Sequence, residues 1–403
     1  MARTTVPPTG RGPDNAPGLA RLRRPIVEMP PHLIGEVARL GIGQKDIIPL
    51  WYGESDVPTP AFIADAAYAA MQAGETFYTH KLGLPELREA LGTYLSGLYR
   101  RPVAAERVTV TTSGMNAIML ALMAILDAGD NMVLVDPVWP NCEQSALAMG
   151  ASVTRVSLEQ QNGVWQLDTQ AVMDACGART RAIFVNSPGN PTGWMMESEQ
   201  QQALLDFARE RGLWIVADEV YSRLVYDRPV APSFLDLAGP DDPVIGINSF
   251  SKAWAMTGWR MGWMVTPVWV TDALFSMIEY HTACVPPFLQ KAGLAAITQG
   301  EPFVADMVAR CRAGREAMVP ALQAMDRVHI DPPRAAFYAF CKVDGMTDSL
   351  AFAKDLFRKT KVGVAPGSSF GPGGEGWLRL CFAQDPQRLT TAMERLADYL
   401  KAG

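Results

Sequence analysis

A lysine follows an apolar run that is typical of a buried strand, VIGINSF at 244–250. Lys252 stands just beyond that run, and Ser249 and Arg260 lie close to it in the sequence. A buried ammonium without a partner carries a large desolvation cost. Covalent capture of an aldehyde removes that cost and makes the amine a nucleophile. The guanidinium of Arg260 suits bidentate phosphate binding. The run therefore predicts a reactive lysine beside an anion site, and the alternative is an exposed lysine in a loop.

Two further charged residues belong to apolar runs. Asp218 ends LWIVAD, and Arg379 stands inside EGWLRLCFA. A buried carboxylate needs a cationic or proton-donating partner, and a buried guanidinium needs an anion. Tyr221 places a phenol three residues after Asp218. We therefore expect a partner for each of these charges, although Asp218 could instead cap a helix.

An anion site is predicted where VTVTTSGMNAIMLALMAIL passes from a strand to an apolar helix. Ser113 and Gly114 open that helix. A helix N-terminus presents free N–H groups and the positive end of a dipole to an anion. The alternative is an ordinary serine N-cap.

Two loops after other apolar runs contribute further candidates. NSPGNPTG places Asn190 in a cluster of turn-forming residues, and DPVWPN places Trp139 between prolines. An aromatic ring at such a position can stack on a flat ligand. For Trp139 the alternative is a core position, and the Asn190 loop alone is weak evidence.

The elements that must position these residues are short apolar runs separated by helix-like stretches. Runs apolar on both faces with helical crossovers predict a large, mostly parallel, doubly wound α/β sheet, and such sheets bind ligands at the carboxyl ends of their strands. The runs occupy 107–112, 131–136, 151–158, 181–186, 213–218, 244–250 and 261–266.

The C-terminal part has a different pattern. A helix-like stretch from about 268 to 320 precedes mixed strands and helices, which predicts a smaller α+β domain. With 403 residues the chain exceeds one ordinary domain of about 100–200 residues. We predict a tail or arm at 1–45 that packs on the small domain or on a partner subunit, a large domain at 46–290 and a small domain at 291–403.

Composition excludes several classes of function. The net charge of −6 gives no footprint for nucleic acid, and no apolar run reaches the ~18–20 residues of a membrane helix. We expect no metal site or disulfide framework, because the six cysteines show no CxxC pair. The N-terminal segment lacks the apolar core of a secretory signal. These features favour a cytoplasmic protein that acts on small metabolites.

Taken in order, the motifs resemble class I and II aminotransferases, the fold-type I pyridoxal-phosphate enzymes. Ser249-x-Ser-Lys252 precedes a Gly-x-Arg260-x-Gly pattern, Asp218 and Tyr221 form DxxY, and Asn190 begins NPxG. The resemblance extends from about residue 50 to 385.

The resemblance implies a role for each candidate. Lys252 would hold pyridoxal 5′-phosphate covalently and act as the catalytic base. Cofactor contacts would come from Ser113, Gly114, Met115, Trp139, Asn190, Asp218, Tyr221, Ser249 and Arg260. Gly53, Asn190 and Arg379 would bind the substrate carboxylate. Tyr78 would reach the phosphate of the neighbouring subunit, which implies a homodimer.

The implied reaction moves an amino group from an L-amino acid to a 2-oxo acid with ping-pong kinetics. Met115 stands where some dicarboxylate-specific relatives carry a lysine, so we favour a neutral or hydrophobic donor. The same residues would serve a carbon–sulfur lyase, decarboxylase, racemase or oxidase. A regulatory effector domain of aminotransferase type is the non-enzyme alternative, although no helix-turn-helix is evident before residue 50.

Overall fold

The computed structural model describes residues 21–161 and 163–402, so residues 1–20 of the tail predicted at 1–45 lie outside the described residues. The α-helices are α1 Arg24–Val27, α2 Leu33–Leu40, α3 Ala61–Gln72, α4 Pro85–Leu98, α5 Gly114–Ile125, α6 Asn141–Met149, α7 Thr169–Asp174, α8 Ser198–Arg211, α9 Thr271–His281, α10 Pro287–Gln299, α11 Glu301–Gln323, α12 Ser349–Thr360 and α13 Pro386–Ala402. The strands are β1 Ile48–Pro49, β2 Val108–Thr111, β3 Asn131–Asp136, β4 Ser152–Ser157, β5 Glu159–Gln161, β6 Val164–Gln166, β7 Thr180–Asn186, β8 Trp214–Asp218, β9 Val244–Ser249, β10 Gly262–Val265, β11 Val328–Ile330, β12 Tyr338–Val343, β13 Val362–Gly363, β14 Ala365–Pro366 and β15 Trp377–Cys381.

The large domain is built on a seven-stranded sheet with the order β2-β10-β9-β8-β7-β3-β4. Strand β10 runs antiparallel to both of its neighbours, and the other pairings are parallel. Each predicted apolar run supplies one of these strands, so the prediction of a mostly parallel α/β sheet is confirmed. The central strands are buried along almost their whole length because helices cover both faces.

Helix α5 shows how the sequence fixes the edge of the sheet where the candidates lie. It carries no charged residue, and it packs against β9, β10, α6 and α9. The Ser113 hydroxyl accepts a hydrogen bond from the backbone N–H of Asn116 at 3.0 Å and so caps the helix. The N-terminus of α5 therefore starts directly at the carboxyl end of β2.

The small C-terminal domain contains an antiparallel sheet with the order β11-β12-β15-β14, accompanied by α11, α12 and α13. Phe340 of β12 stacks on Trp377 of β15 with ring centroids 4.9 Å apart, and both rings are buried. The predicted helix-like stretch from 268 to 320 forms three helices, α9, α10 and α11. Proline breaks the stretch before α10 and begins α10 itself.

The junction between the two domains involves more of the chain than the sequence indicated. Helix α10 packs against α3 and α4 of the large domain, and the predicted boundary at 290 falls inside it. Strand β1 pairs in parallel with β13, so the start of the predicted large domain is hydrogen-bonded to the small one. Helix α2 packs against α12 of the small domain. Within the described residues, no helix is both long and apolar enough to cross a bilayer.

Candidate active site

A cavity of about 440 Å³ opens at the carboxyl ends of β2, β3, β7, β8 and β9, with β12, β15 and residues 51–54 on its other side. Most of the candidates from the sequence line this one cavity, although they come from distant parts of the chain. They are Gly53, Gly114, Met115, Trp139, Asn190, Asp218, Tyr221, Ser249, Lys252, Arg260 and Arg379.

Lys252 is held by the backbone of a distant segment. Its Nζ donates a hydrogen bond to the carbonyl oxygen of Gly53 at 2.7 Å and lies 5.6 Å from the centre of the Tyr221 ring. Burial lowers the pKa of this amine to about 8, because the charged form loses hydration. A substantial share of the amine is therefore neutral near physiological pH, as a nucleophile or base requires.

Asp218 is buried at the end of β8 with little to neutralise it. Among the described residues its carboxylate accepts one hydrogen bond, from the backbone N–H of Val220 at 3.3 Å. Burial raises the pKa of this carboxyl group to about 7. A cation or a protonated nitrogen bound in the cavity would supply the missing partner.

Arg379 brings a buried guanidinium to the opposite wall of the cavity. Its side chain donates to Asn190 Oδ1 at 3.0 Å and to the backbone oxygen of Trp51, while its Nε has no partner among the described residues. The guanidinium carbon lies 4.5 Å from the centre of the Tyr338 ring. All of these partners are neutral, so the positive charge remains available to an anionic ligand.

The loops after β3 and β7 are tied to each other. The backbone N–H of Trp139 donates to the Asn190 carbonyl at 3.0 Å, and the Asn190 N–H donates to the Asn186 side-chain oxygen at 2.8 Å. Because the Asn190 Oδ1 accepts from Arg379, its amide N–H₂ is left as a donor. Trp139 is half-buried at the cavity wall.

The turn after β2 is the anion-binding candidate. The N–H groups of Gly114 and Met115 lie in the first turn of α5, where no carbonyl of that helix can accept them. A Cβ atom on Gly262 would lie 2.6 Å from the Gly114 nitrogen, so only glycine allows β10 to approach this turn. Ser113 is buried with a φ of +144°, and it does not line the cavity itself.

Ser249 and Arg260 stand beside that turn. The Ser249 hydroxyl lies 2.9 Å from the Ser251 hydroxyl and 3.1 Å from the Met261 carbonyl oxygen. Arg260 is exposed, adopts a left-handed φ of +53° and donates to the Thr257 carbonyl at 2.7 Å. Its remaining N–H groups are free to bind an anion at the helix N-terminus.

Tyr221 has a protein partner that sequence reasoning missed. Its hydroxyl lies 2.7 Å from the hydroxyl of Tyr338, the first residue of β12. In the sequence Tyr338 gave no sign of a role, because a tyrosine in an apolar strand is ordinary. Other cavity residues that were missed are His32, Trp51, Tyr52, Glu54, Asn186 and Thr257.

Tyr78, like Ser113, is a candidate that does not line the cavity of its own chain. Its side chain is 85% exposed, and the Lys81 Nζ lies 5.8 Å from its ring centre. Phe77 beside it is also exposed. An aromatic pair in such a position suits burial by another subunit.

Comparison with known proteins identifies the family. The family model described as aminotransferase class I and II matches residues 45–396. Aspartate aminotransferase of Thermotoga maritima is 33% identical over 89% of this chain and 92% of its own length. Aromatic-amino-acid aminotransferase 2 of Thermococcus litoralis is 30% identical over 92% of this chain and 96% of its own.

Solved structures agree in fold over nearly the whole chain. A single mutant of Thermus thermophilus aspartate aminotransferase has a TM-score of 0.87 at 31% identity, covering 94% of this chain and 99% of that one. An aminotransferase from Mycobacterium tuberculosis has a TM-score of 0.88 at 28% identity, covering 95% and 100%. With the cavity and its charged residues, these matches show that the chain is an enzyme of the aminotransferase class I and II family.

Proposed function

We propose that this aminotransferase binds pyridoxal 5′-phosphate in the cavity and holds it covalently through Lys252. The observation that carries the proposal is that one cavity holds both a partly neutral lysine amine and the buried Asp218 carboxylate, which forms no ion pair among the described residues. The cofactor carries an aldehyde for the first group and a basic ring nitrogen for the second. Its phosphate suits the helix N-terminus and the guanidinium of Arg260.

The remaining residues hold the cofactor in this arrangement. Ser113, Gly114 and Met115 offer backbone N–H groups to the phosphate, and Ser249 offers its hydroxyl. Tyr221 and the free amide N–H₂ of Asn190 donate to the ring's phenolic oxygen, and the Trp139 ring stacks on its face. Stacking of this kind contributes about 0.5–1.5 kcal/mol beyond the area it buries.

The substrate side of the cavity belongs to Arg379 and Lys252. Arg379 binds the α-carboxylate and thereby orients the Cα–H bond, which lowers the entropic part of the barrier. Once the incoming amino group has displaced it, the freed Lys252 Nζ takes the proton from Cα and later returns that proton. The Gly53 carbonyl fixes the amine near the carboxylate site. When bound, the cofactor supplies an electron sink for the charge that develops at Cα. Alternate binding of an amino acid and a 2-oxo acid gives ping-pong kinetics.

We propose a neutral or hydrophobic amino donor. Apolar side chains from several elements line the cavity, among them Ile34, Met115 and Ile118. The basic residues of that lining have other assignments, since Lys252 and Arg260 serve the cofactor and Arg379 serves the α-carboxylate. Among the described residues of that lining, the basic group left for a side-chain carboxylate is the His32 imidazole, whose pKa is lowered by burial and by the charges of Arg379 and Arg39.

We also propose a homodimer in which Tyr78 reaches the phosphate site of the neighbouring subunit. Its exposure within one chain supports this role. The free cysteines support a reducing compartment, the cytoplasm, because none is paired and most are buried.

The first test is a screen of the twenty amino acids against the cofactor-loaded enzyme, with the absorbance of the bound cofactor as readout. We expect a few neutral or hydrophobic donors to convert the absorbance and release a 2-oxo acid, and a 2-oxo acid acceptor to restore it. Lys252→Ala should lose the absorbance of covalently held cofactor and turn over at least ~10³-fold more slowly.

The same screen separates the other reactions of this fold. Ammonia release without an acceptor would indicate a lyase or an oxidase, carbon dioxide a decarboxylase, and loss of optical activity alone a racemase. Conversion by aspartate and glutamate alone would overturn the proposed donor class but leave the aminotransferase in place. Normal transamination by Lys252→Ala would overturn the role of the lysine.

A further inference from the structure

The phenol of Tyr338 joins three groups that have roles in the proposed function. The residue is 1% exposed, and its hydroxyl lies 2.7 Å from that of Tyr221. A Cβ atom on Gly53 would lie 1.9 Å from the same hydroxyl, so the backbone of residue 53 packs directly against it. The Arg379 guanidinium stands 4.5 Å above its ring.

The hydroxyl pair can orient a proton. Two hydroxyls in contact share one hydrogen bond, and the second proton remains free. The positive charge of Arg379 over the Tyr338 ring favours Tyr338 as the donor, because it stabilises negative charge on that oxygen. Tyr221 then keeps its own proton for the cavity. A hydroxyl that accepts one hydrogen bond also becomes a stronger donor.

The ring of Tyr338 has a second effect, on Arg379. The guanidinium lies between the rings of Tyr338 and Phe370, at 4.5 and 5.0 Å from their centres. Such cation–π contacts restrict the plane of the guanidinium. Because the Nε of Arg379 has no partner among the described residues, these rings and two hydrogen bonds determine its orientation.

We infer that Tyr338 is a positioning residue for the reaction: its hydroxyl directs the Tyr221 proton towards the cofactor, and its ring orients Arg379 towards the substrate carboxylate. The inference rests on the proposed function, since Tyr221 and Arg379 take their roles from it. Tyr338 belongs to the small domain and Tyr221 to the large one, so the contact also couples the proton donor to the packing of the two domains.

The test uses the holoenzyme and follows the absorbance of bound pyridoxal phosphate as a function of pH. Tyr338→Phe removes the hydroxyl and keeps the ring. A weaker Tyr221 donor stabilises the deprotonated chromophore less, so its pKa should rise by roughly 0.5–1 pH unit. The KM for the amino donor should change less than about threefold. Tyr338→Leu also removes the ring and should raise that KM roughly three- to tenfold.

The matched control is Tyr226→Phe. Tyr226 is also buried in this region and donates to the Ala336 carbonyl at 2.5 Å, but it does not line the cavity. It should lose stability as Tyr338→Phe does and leave the spectral pKa unchanged. If both variants shift that pKa equally, or neither does, the inference is overturned.

A double-mutant cycle shows whether Tyr338 acts through Tyr221. Adding Tyr338→Phe to Tyr221→Phe should produce no further shift in the spectral pKa, whereas independent effects would add. If the two shifts in the spectral pKa added fully, Tyr338 would act independently of Tyr221 and the inference would be contradicted. A wild-type protein that forms no covalent adduct with pyridoxal phosphate would instead refute the proposed function itself.

Discussion

Within the described part of the chain, three charged side chains of the cavity form no ion pair. Asp218 has one backbone hydrogen bond, Lys252 donates to a carbonyl, and Arg379 contacts only neutral groups. Isolated charges in a dry site lower stability, so a protein keeps them where a ligand completes them. Their signs match the groups of the proposed cofactor and of an amino-acid carboxylate.

Replacing Asp218 by Asn should therefore stabilise the cofactor-free protein at high pH. Burial raises the pKa of the Asp218 carboxyl group from its ordinary 3.8 to about 7 in the folded protein. The loss of folding stability caused by its ionised form is therefore absent below about pH 4 and grows until about pH 7. We expect a gain of roughly 1–3 kcal/mol in the free energy of unfolding at pH 8. Urea denaturation at pH 4 and pH 8 measures this difference.

The same variant should lose turnover on the order of 100-fold, because the ring nitrogen loses its charged partner. Stability and activity then change in opposite directions. An Asp218→Asn protein that is less stable at pH 8 than the wild type would contradict the view that this carboxylate lacks a partner.

The three charged residues that the sequence singled out as site candidates share one property. Lys252, Asp218 and Arg379 each put a charge in or just after an apolar run, and the desolvation cost makes such positions conspicuous. Tyr338 produces no such signal, because its polar atom is small and its type is common in strands. The sequence also could not indicate that the Gly53 carbonyl meets Lys252, since that contact spans two distant segments.

Among the elements, residues 48–54, which comprise β1 and the segment after it, form hydrogen bonds to several distant parts of the chain. Leu50 hydrogen-bonds to Gly363 and Cys381 of the small domain, the Trp51 carbonyl accepts from Arg379, and the Gly53 carbonyl accepts from Lys252. This strap, residues 48–54, reaches both Lys252 and Arg379. Its path depends on the close contact of Gly53 with the phenol of β12.

Gly53→Ala should displace this strap. The added Cβ would overlap the Tyr338 hydroxyl, so either the strap or the tyrosine must move. We expect a loss of about 1–3 kcal/mol in unfolding free energy and a fall in kcat/KM of more than roughly tenfold. Thermal unfolding and steady-state kinetics measure the two effects.

The matched substitution is Gly177→Ala, where no atom lies within 4 Å of the new Cβ and the glycine is exposed. That variant should keep both stability and activity. Equal behaviour of the two alanine variants would show that the contact at residue 53 is not restrictive.

The longer strands could be predicted from the sequence, and the shortest ones could not. Most strands of the large sheet were evident because they are nearly continuous apolar runs, whereas the edge strand β4, SVTRVS, mixes apolar and polar residues. Strands β1, β13 and β14 have two residues each, too few for any periodicity, and their pairing depends on the folded chain. The β5–β6 hairpin is mostly exposed and polar, so hydrophobic patterning could not reveal it.

For the whole molecule, the homodimer proposal has a direct test. Lys252→Ala and Tyr78→Ala should each lower the activity of the enzyme when refolded alone. In a mixed dimer, however, one site combines an intact lysine with an intact tyrosine from the partner subunit. Refolding the two variants together in equal amounts should restore about one quarter of the wild-type sites. Activity of the mixture is compared with that of each variant refolded alone.

The control mixes Lys252→Ala with Asp218→Asn. Both side chains line the cavity of one chain, so each site takes its lysine and its carboxylate from the same subunit. Every site of a mixed dimer then lacks one of the two residues. This mixture should therefore be no more active than the two variants refolded alone. No recovery in the Tyr78 mixture, although mixed dimers form, would contradict the contribution of Tyr78 across the interface.

The strap implies a thermodynamic reciprocity between distant parts of the molecule. Because residues 48–54 are hydrogen-bonded to the small domain and also contact Lys252 and Arg379, a ligand that fixes those two side chains restrains the small domain as well. The linkage must hold in both directions: if the ligand disfavours opening of the β1–β13 seam by some factor, opening of that seam weakens ligand binding by the same factor.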